Sequence, residues 1–180
     1  MADLILYTGP MFSSKTTKLL MQADKKHYQK KKVIAFKSQM DDRYSEGEIV
    51  THNFNRLSAH LVNSGDEIIK KVSNHEVDCV IIDELFLIEG SAQACLQLFK
   101  KGYDVIMASI DLSFKGEPFD EVQAIMPYCT RIIKCKAVCP VCGDDARYTY
   151  RKIDDNSEIL VGADDIYEPR CQMHYEFMKA

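Results

Sequence analysis

Gly9, Lys15 and Thr16, in the stretch TGPMFSSKT, are the first residues whose types and spacing could do chemistry. They follow the phosphate-binding pattern G-x-x-x-x-G-K-[ST], with Ser14 standing at the second glycine. The backbone N–H groups of such a loop wrap a phosphate, and the helix behind it adds partial positive charge. Lys15 would reach the β- and γ-phosphates, and the Thr16 hydroxyl would hold Mg²⁺. With no phosphate to bind, the same letters spell a turn followed by a helix. If residue 14 lies in the first helical turn, its φ is negative and serine carries no backbone penalty. Its small hydroxyl would then be able to donate to a phosphate oxygen.

A second constellation is Asp83-Glu84 at the end of VIIDEL. A carboxylate at the C-terminal end of a buried strand is where a P-loop enzyme makes its second Mg²⁺ contact. Glu84 would then stand near the γ-phosphate, able to take a proton from an attacking hydroxyl or water. A solvated acidic pair at a strand end is the plain alternative. The third constellation is Cys139-x-x-Cys142 with Cys171-x-x-His174. Three thiolates and an imidazole in two such knuckles suit tetrahedral Zn²⁺ in a closed, structural site. Of the other histidines, His27, His52, His60 and His75, none has ligand-like spacing. Arg43, in DDRYS, is an arginine that could reach a transferring phosphoryl group from a loop.

The elements that must position these groups can be read along the chain. LILYT (4–8) is an apolar run ending at the glycine loop, and residues 17–31 read as a helix with Leu19, Leu20 and Ala23 on its apolar side. VIAFKS (33–38) is a second strand, and the polar stretch 39–56 reads as a long loop. HLV (60–62) is a short strand and SGDEIIKKVSN a helix. VDCVIID (77–83) and YDVIMAS (103–109) are continuous apolar runs suited to parallel strands buried on both faces, with a helix over 91–101 between them. Alternating strands and helices predict a doubly wound α/β sheet. From about residue 136 the pattern changes to short strands and cysteine knuckles, so the division is a P-loop α/β domain over 1–136 and a small zinc-binding unit over 137–180.

Composition bounds the partners. The 180 residues allow one sizeable core, and 46% hydrophobic with 28% charged residues is ordinary for a globular chain. No apolar run approaches a membrane span and no signal peptide opens the chain, so no membrane is expected and the location is cytoplasmic. A formal charge of −4 gives no global attraction to nucleic acid. Seven cysteines, without an export signal, read as metal ligands and free thiols rather than disulfides.

Taken in order, TGPMFSSKT, DDRYS, THN, IIDEL, SFKGEPF, CPVC, YTYR and VGADDIYEPRCQMH resemble the cytosolic-type (type II) thymidine kinases over nearly the whole chain. That resemblance implies a RecA-like P-loop domain with a zinc-stapled lasso over the nucleoside. It also implies Mg²⁺-dependent transfer of the ATP γ-phosphate to the 5′-hydroxyl of thymidine, with deoxyuridine a weaker second. A homotetramer and feedback inhibition by thymidine triphosphate come with it. By motif, Gly9, Pro10, Met11, Phe12, Ser13, Ser14, Lys15 and Thr16 would bind ATP, with Asp41 and Arg43 assisting at the phosphates. Asp83 would help hold Mg²⁺ and Glu84 would be the general base. The nucleoside pocket would take Phe114 and Phe119 as aromatics, with Met11, Leu87, Ile110 and Thr149 lining the base. Tyr167 and the backbone of Glu158, Ile159, Leu160, Val161 and Gly162 would form the lasso. Aromatics around a flat base, with its edge read by backbone, bind a nucleoside at low entropic cost. Three positions depart from the family's habit: Ser14 for glycine, Phe86 for glutamine, and Leu87 for an aromatic. His174 as the fourth zinc ligand, in place of cysteine, is an accepted alternative.

Two other readings fit parts of this pattern. A P-loop ATPase with a zinc ribbon, acting on nucleic acid, has the same motifs, but the acidic balance and the lack of a basic, aromatic stripe weigh against it. An inactive relative would be one in which Ser14 has weakened nucleotide binding.

Overall fold

The computed structural model describes residues 2–40, 47–50, 56–154, 157 and 165–177. Strand β1 (Leu4–Thr8) runs into the glycine loop and helix α1 (Lys15–Tyr28), and β2 (Val33–Ser38) follows. A hairpin of β3 (Glu48–Val50) and β4 (Arg56–Ser58) comes before β5 (His60–Val62) and α2 (Gly65–Ser73). Next are β6 (Cys79–Ile82), α3 (Ser91–Lys100), β7 (Asp104–Ser109), α4 (Asp120–Ile125) and β8 (Arg131–Lys134). Six strands form one parallel sheet in the order β5-β2-β6-β7-β1-β8.

Period-two burial explains how the sheet carries helices on both faces. Leu4, Leu6, Ile34, Phe36, Val80, Ile82, Val105 and Met107 pack with Ile68 of α2, Cys95 and Leu98 of α3, and Val122 and Ile125 of α4. The alternate set, Ile5, Tyr7, Ala35, Ile81, Ile106 and Ala108, packs with Leu19, Leu20 and Ala23 of α1. Each fully buried Ile or Leu here contributes about 1.5–3 kcal/mol, so this double-sided core dominates stability. Cys79 and Cys95 are fully buried thiols within it. Burial pushes the Cys79 thiol up to about 12 and raises Cys95 as well, which keeps both unreactive.

This strand order places the ends of β1, β7 and β6 side by side on one edge. The loop strand and the carboxylate strand stand apart by β7 alone. That is the mainly parallel α/β P-loop arrangement, the doubly wound sheet read from the alternating elements and the RecA-like domain implied by the resemblance. Helix α4 lies outside the expected elements, as does the β3–β4 hairpin, which starts inside the polar stretch and ends two residues beyond it. Glu121, in the first turn of α4, accepts hydrogen bonds from the Gly90 and Ala92 amides, both at 2.7 Å. The carboxylate thereby caps α3, whose own N-cap glycine has no side chain to do so.

After β8 the chain builds two small antiparallel pairs. These are β9 (Ala137–Val138) with β10 (Asp145–Ala146), and β11 (Tyr148–Arg151) with β12 (Tyr167–Arg170). A separate hydrophobic cluster forms there from Ala137, Cys139, Ala146 and Cys171, and Phe12 of the glycine loop packs against it.

Candidate active site

The glycine loop is fixed at its start by a crossing of backbones. Cys135 donates its amide to the Thr8 carbonyl at 2.6 Å, and a Cβ on Gly9 would come within 2.3 Å of the Cys135 carbonyl oxygen. Gly9 also has φ 136°, so no other residue fits. Further on, Phe12 and Ser14 have φ of 64° and 61°, and Ser13 between them is outside that region. Alternation of this kind turns successive N–H groups into one concavity, the geometry of an anion nest. Ser13 closes the turn by donating its hydroxyl to the Pro10 carbonyl at 2.7 Å.

Ser14 is thus the N-cap of α1 in the left-handed region, not a first-turn residue with negative φ. The second glycine of the motif is a conformational requirement at this position. The serine hydroxyl makes no capping hydrogen bond, and the side chain is exposed, so nothing offsets its strain. A left-handed conformation costs a side-chain-bearing residue roughly 1–2 kcal/mol. Glycine gives back part of that, about 0.5–1 kcal/mol, through its freer unfolded chain. Ser14→Gly is therefore expected to stabilise the nucleotide-free protein by about 0.5–1 kcal/mol, seen as a higher urea midpoint. A lower midpoint would show that the serine side chain has a stabilising partner.

Lys15 is buried and donates from Nζ to the Pro10 carbonyl at 2.6 Å. Burial lowers its pKa from the ordinary value, while the negative charges of Glu84, Asp83 and Asp111 act to raise it. The Thr16 hydroxyl lies 3.2 Å from one Asp83 carboxylate oxygen and 3.4 Å from the other. The loop and the VIIDEL carboxylate therefore meet as their spacing suggested. Glu84, one residue on, is buried at φ 50°. A glutamate in that region costs of order 1–3 kcal/mol, and such strain concentrates at functional sites. The turn is held from behind. Ser109 accepts from the Phe86 amide at 3.2 Å, and Ser91 donates to the Leu85 carbonyl at 3.0 Å.

Phe86, two residues after Glu84, packs against Phe119 with ring centroids 4.5 Å apart. Phe114 projects from the 112–118 loop, whose base is the Leu112–Pro118 bridge. The Tyr175 hydroxyl donates to the Phe114 carbonyl at 2.7 Å, and Tyr175 itself stacks on Tyr148 at 4.6 Å. Thr149 accepts from the Met11 amide at 3.1 Å, tying β11 to the glycine loop. Ile110 and Tyr167 are buried, and Leu87 is half-buried. Asp41, Arg43, His52, Glu158, Ile159, Leu160, Val161 and Gly162 lie outside the described residues.

Two groups escaped the sequence reading. Asp111 is buried just beyond β7 and paired with Lys134 at 2.9 Å. Arg151, at the end of YTYR, is buried with its guanidinium 3.7 Å above the Phe114 ring and 5.3 Å from that of Tyr167. An arginine closing the aromatic-rich run YTYR was a partial signal for the second. For Asp111 the apolar run ending one residue before it was a weaker one.

Donor atoms of Cys139, Cys142, Cys171 and His174 all lie within 4.8 Å of one another. Cys142 and Cys171 sulfurs are 3.6 Å apart, and His174 Nδ1 is 3.2 Å from Cys171 Sγ and 3.9 Å from Cys139 Sγ. A zinc tetrahedron with ordinary bond lengths has S···S near about 3.8 Å and S···N near about 3.6 Å, so the donor set fits that ion. Burial raises the Cys139 thiol, but backbone N–H groups of Cys171, Val141 and Cys142 outweigh it and bring the thiol down to about 6. Cys142 in the same cluster is pushed the other way, up to about 11, so the thiols ionise unequally.

A parallel sheet, a nest-forming G-x-x-x-x-S-K-T loop and a strand-end carboxylate on its threonine define a P-loop nucleotide-binding α/β protein with a Cys₃His unit attached. The family model described as thymidine kinase matches residues 2–175, and the chain belongs to the thymidine kinase family. Among solved structures, the X-ray structure of the Legionella pneumophila ATPase DotB is similar at a TM-score of 0.48 and 13% identity. That likeness covers 81% of this chain and 44% of the other, so the chain spans less than half of that structure's length.

Proposed function

We propose that the protein is an ATP-dependent thymidine kinase, phosphorylating thymidine first and deoxyuridine more weakly. The observation that carries this reading is the meeting of Thr16 with Asp83 beside buried Lys15 and Glu84, in a chain of that family. The loop N–H groups and Lys15 hold the β- and γ-phosphates, Lys15 exchanging the Pro10 carbonyl for phosphate oxygens. Thr16 and Asp83 would hold Mg²⁺, which when bound would supply charge neutralisation for the transferring phosphoryl group. Asp41 and Arg43 assist there. Glu84 accepts the 5′-hydroxyl proton as that oxygen bonds to the γ-phosphorus, and the bond from the γ-phosphorus to the β,γ-bridging oxygen breaks to release ADP.

Phe114, Phe119, Met11, Leu87, Ile110, Thr149 and Tyr167, with the 158–162 backbone, form the nucleoside end. Phe114 offers the base its edge or one face, the other being covered by Arg151. Excluding water there favours transfer to the sugar over hydrolysis. Residues 1–136 act as the ATP-binding domain. Residues 137–180 act as the lasso unit, with zinc in a closed four-ligand site and therefore structural. A homotetramer, inhibition by thymidine triphosphate and a cytoplasmic location complete the reading. Among the described residues no helix is long and apolar enough to cross a membrane.

The test is ATP-dependent phosphorylation of a nucleoside panel, followed by separation of the monophosphates. Thymidine is expected to turn over fastest, deoxyuridine next and purine deoxynucleosides least. Turnover of none, together with ATP hydrolysis stimulated by single-stranded DNA, would replace this function with the nucleic-acid ATPase.

A further inference from the structure

We infer that Arg151 is a positioning residue for the nucleoside base, setting the two aromatic walls Phe114 and Tyr167 against each other; this rests on the kinase reading above. Arg151 sits on the last rung of the β11–β12 pair, directly opposite Tyr167. From there its guanidinium donates to the Tyr167 hydroxyl at 2.8 Å and to the Ser157 carbonyl at 2.5 Å. Its guanidinium carbon lies 3.7 Å from the centroid of the Phe114 ring, which belongs to the loop after β7 and not to the antiparallel pair. One side chain therefore spans the sheet domain and the Cys₃His unit where the proposed base pocket lies between them.

The residue type fits that task and no other does. Burying a cation costs several kcal/mol unless its donors are satisfied. Here both terminal nitrogens have an acceptor, and the guanidinium carbon lies over an aromatic ring. A guanidinium can donate in its plane and stack through its face at once, whereas an ammonium offers only a point charge. Donation to Tyr167 Oη also fixes how that hydroxyl turns its own proton, and so what the Tyr167 edge presents to a ligand. Covering one face of Phe114 leaves the base the other face or the edge. The pocket's width is then set by a rigid stack rather than by two rings that adjust separately.

Steady-state kinetics of wild type, Arg151→Met and Arg151→Lys, with thymidine and ATP varied in turn, test this. Bound zinc and thermal midpoint are measured on the same samples. Arg151→Met is expected to raise the thymidine KM about ten-fold or more, with the ATP KM within about two-fold and one zinc per chain retained, because only nucleoside positioning is lost. Arg151→Lys, which keeps the charge without the fork or the stack, is expected to raise the thymidine KM nearly as far, and it carries the test alone if the methionine variant does not fold. Equal rises in both KM values, or an unchanged thymidine KM in the folded variant, would overturn the inference while leaving the kinase reading in place. A wild type that phosphorylates no nucleoside would remove both.

Discussion

Glu84→Gln is expected to lower kcat for thymidine phosphorylation by about a thousand-fold, with ATP affinity nearly unchanged, the loss usual when a positioned general base is removed. The substitution keeps the side chain's length and leaves a β-carbon at the same left-handed position of φ 50°, so backbone strain is the same in both proteins. What changes is the ability to take a proton. It also changes a charge near Lys15, whose protonation Glu84 favours more than Asp83 or Asp111 does. If the rate were lost through Lys15, ATP binding would weaken in step with kcat. Equilibrium ATP binding measured beside turnover separates the two routes. A variant whose kcat stays within about ten-fold of wild type would take the base role away from Glu84.

How much of this was legible in the sequence differs by the range of the interactions involved. LILYT, VIAFKS and HLV form strands over the residues that their letters suggest, because runs rich in apolar and β-branched residues suit a buried parallel sheet, even with Thr8, Lys37 and Ser38 buried at the strand ends. The meeting of Cys139, Cys142, Cys171 and His174 was legible because a knuckle is a local device. Ser14 was not. Its positive φ follows from the path the loop takes between Gly9, pressed on Cys135, and Lys15, folded back on Pro10. The sequence offered only a mismatch to a pattern. Helix α4 was missed because six residues carry little periodicity, and its tie to α3 through Glu121 spans 31 positions to Gly90. Arg151 belongs to the same class. Its place depends on the β11–β12 register and on a loop from the other end of the sheet domain, neither of which local spacing encodes.

With zinc on Cys139, Cys142, Cys171 and His174 as proposed, its loss is expected to reach the glycine loop as well as the unit that would bind it. The small cluster of Ala137, Cys139, Ala146 and Cys171 includes two of the four proposed ligands, and Phe12 of the loop packs on it. Phe12 has φ 64°, which a bulky side chain adopts only when its surroundings hold it there. The neighbouring Met11 amide is held by Thr149, on the strand between the knuckles. Structural zinc contributes about 10–16 kcal/mol in small peptides, comparable with the whole stability of a typical domain, so a cluster this small does not persist without it. A strong chelator, or Cys171→Ser, should therefore lower the thermal midpoint by at least about 10 °C, given about 2–4 °C per kcal/mol for a chain of this size. ATP affinity should fall in the same samples, by about ten-fold or more, as Phe12 and Met11 lose their supports. Adding zinc back to the chelated wild type, but not to the serine variant, should restore both. A chelated protein that keeps its ATP affinity after its zinc is shown to be gone would mean that the loop holds its shape unaided, and that Phe12 is a passive neighbour of the metal unit.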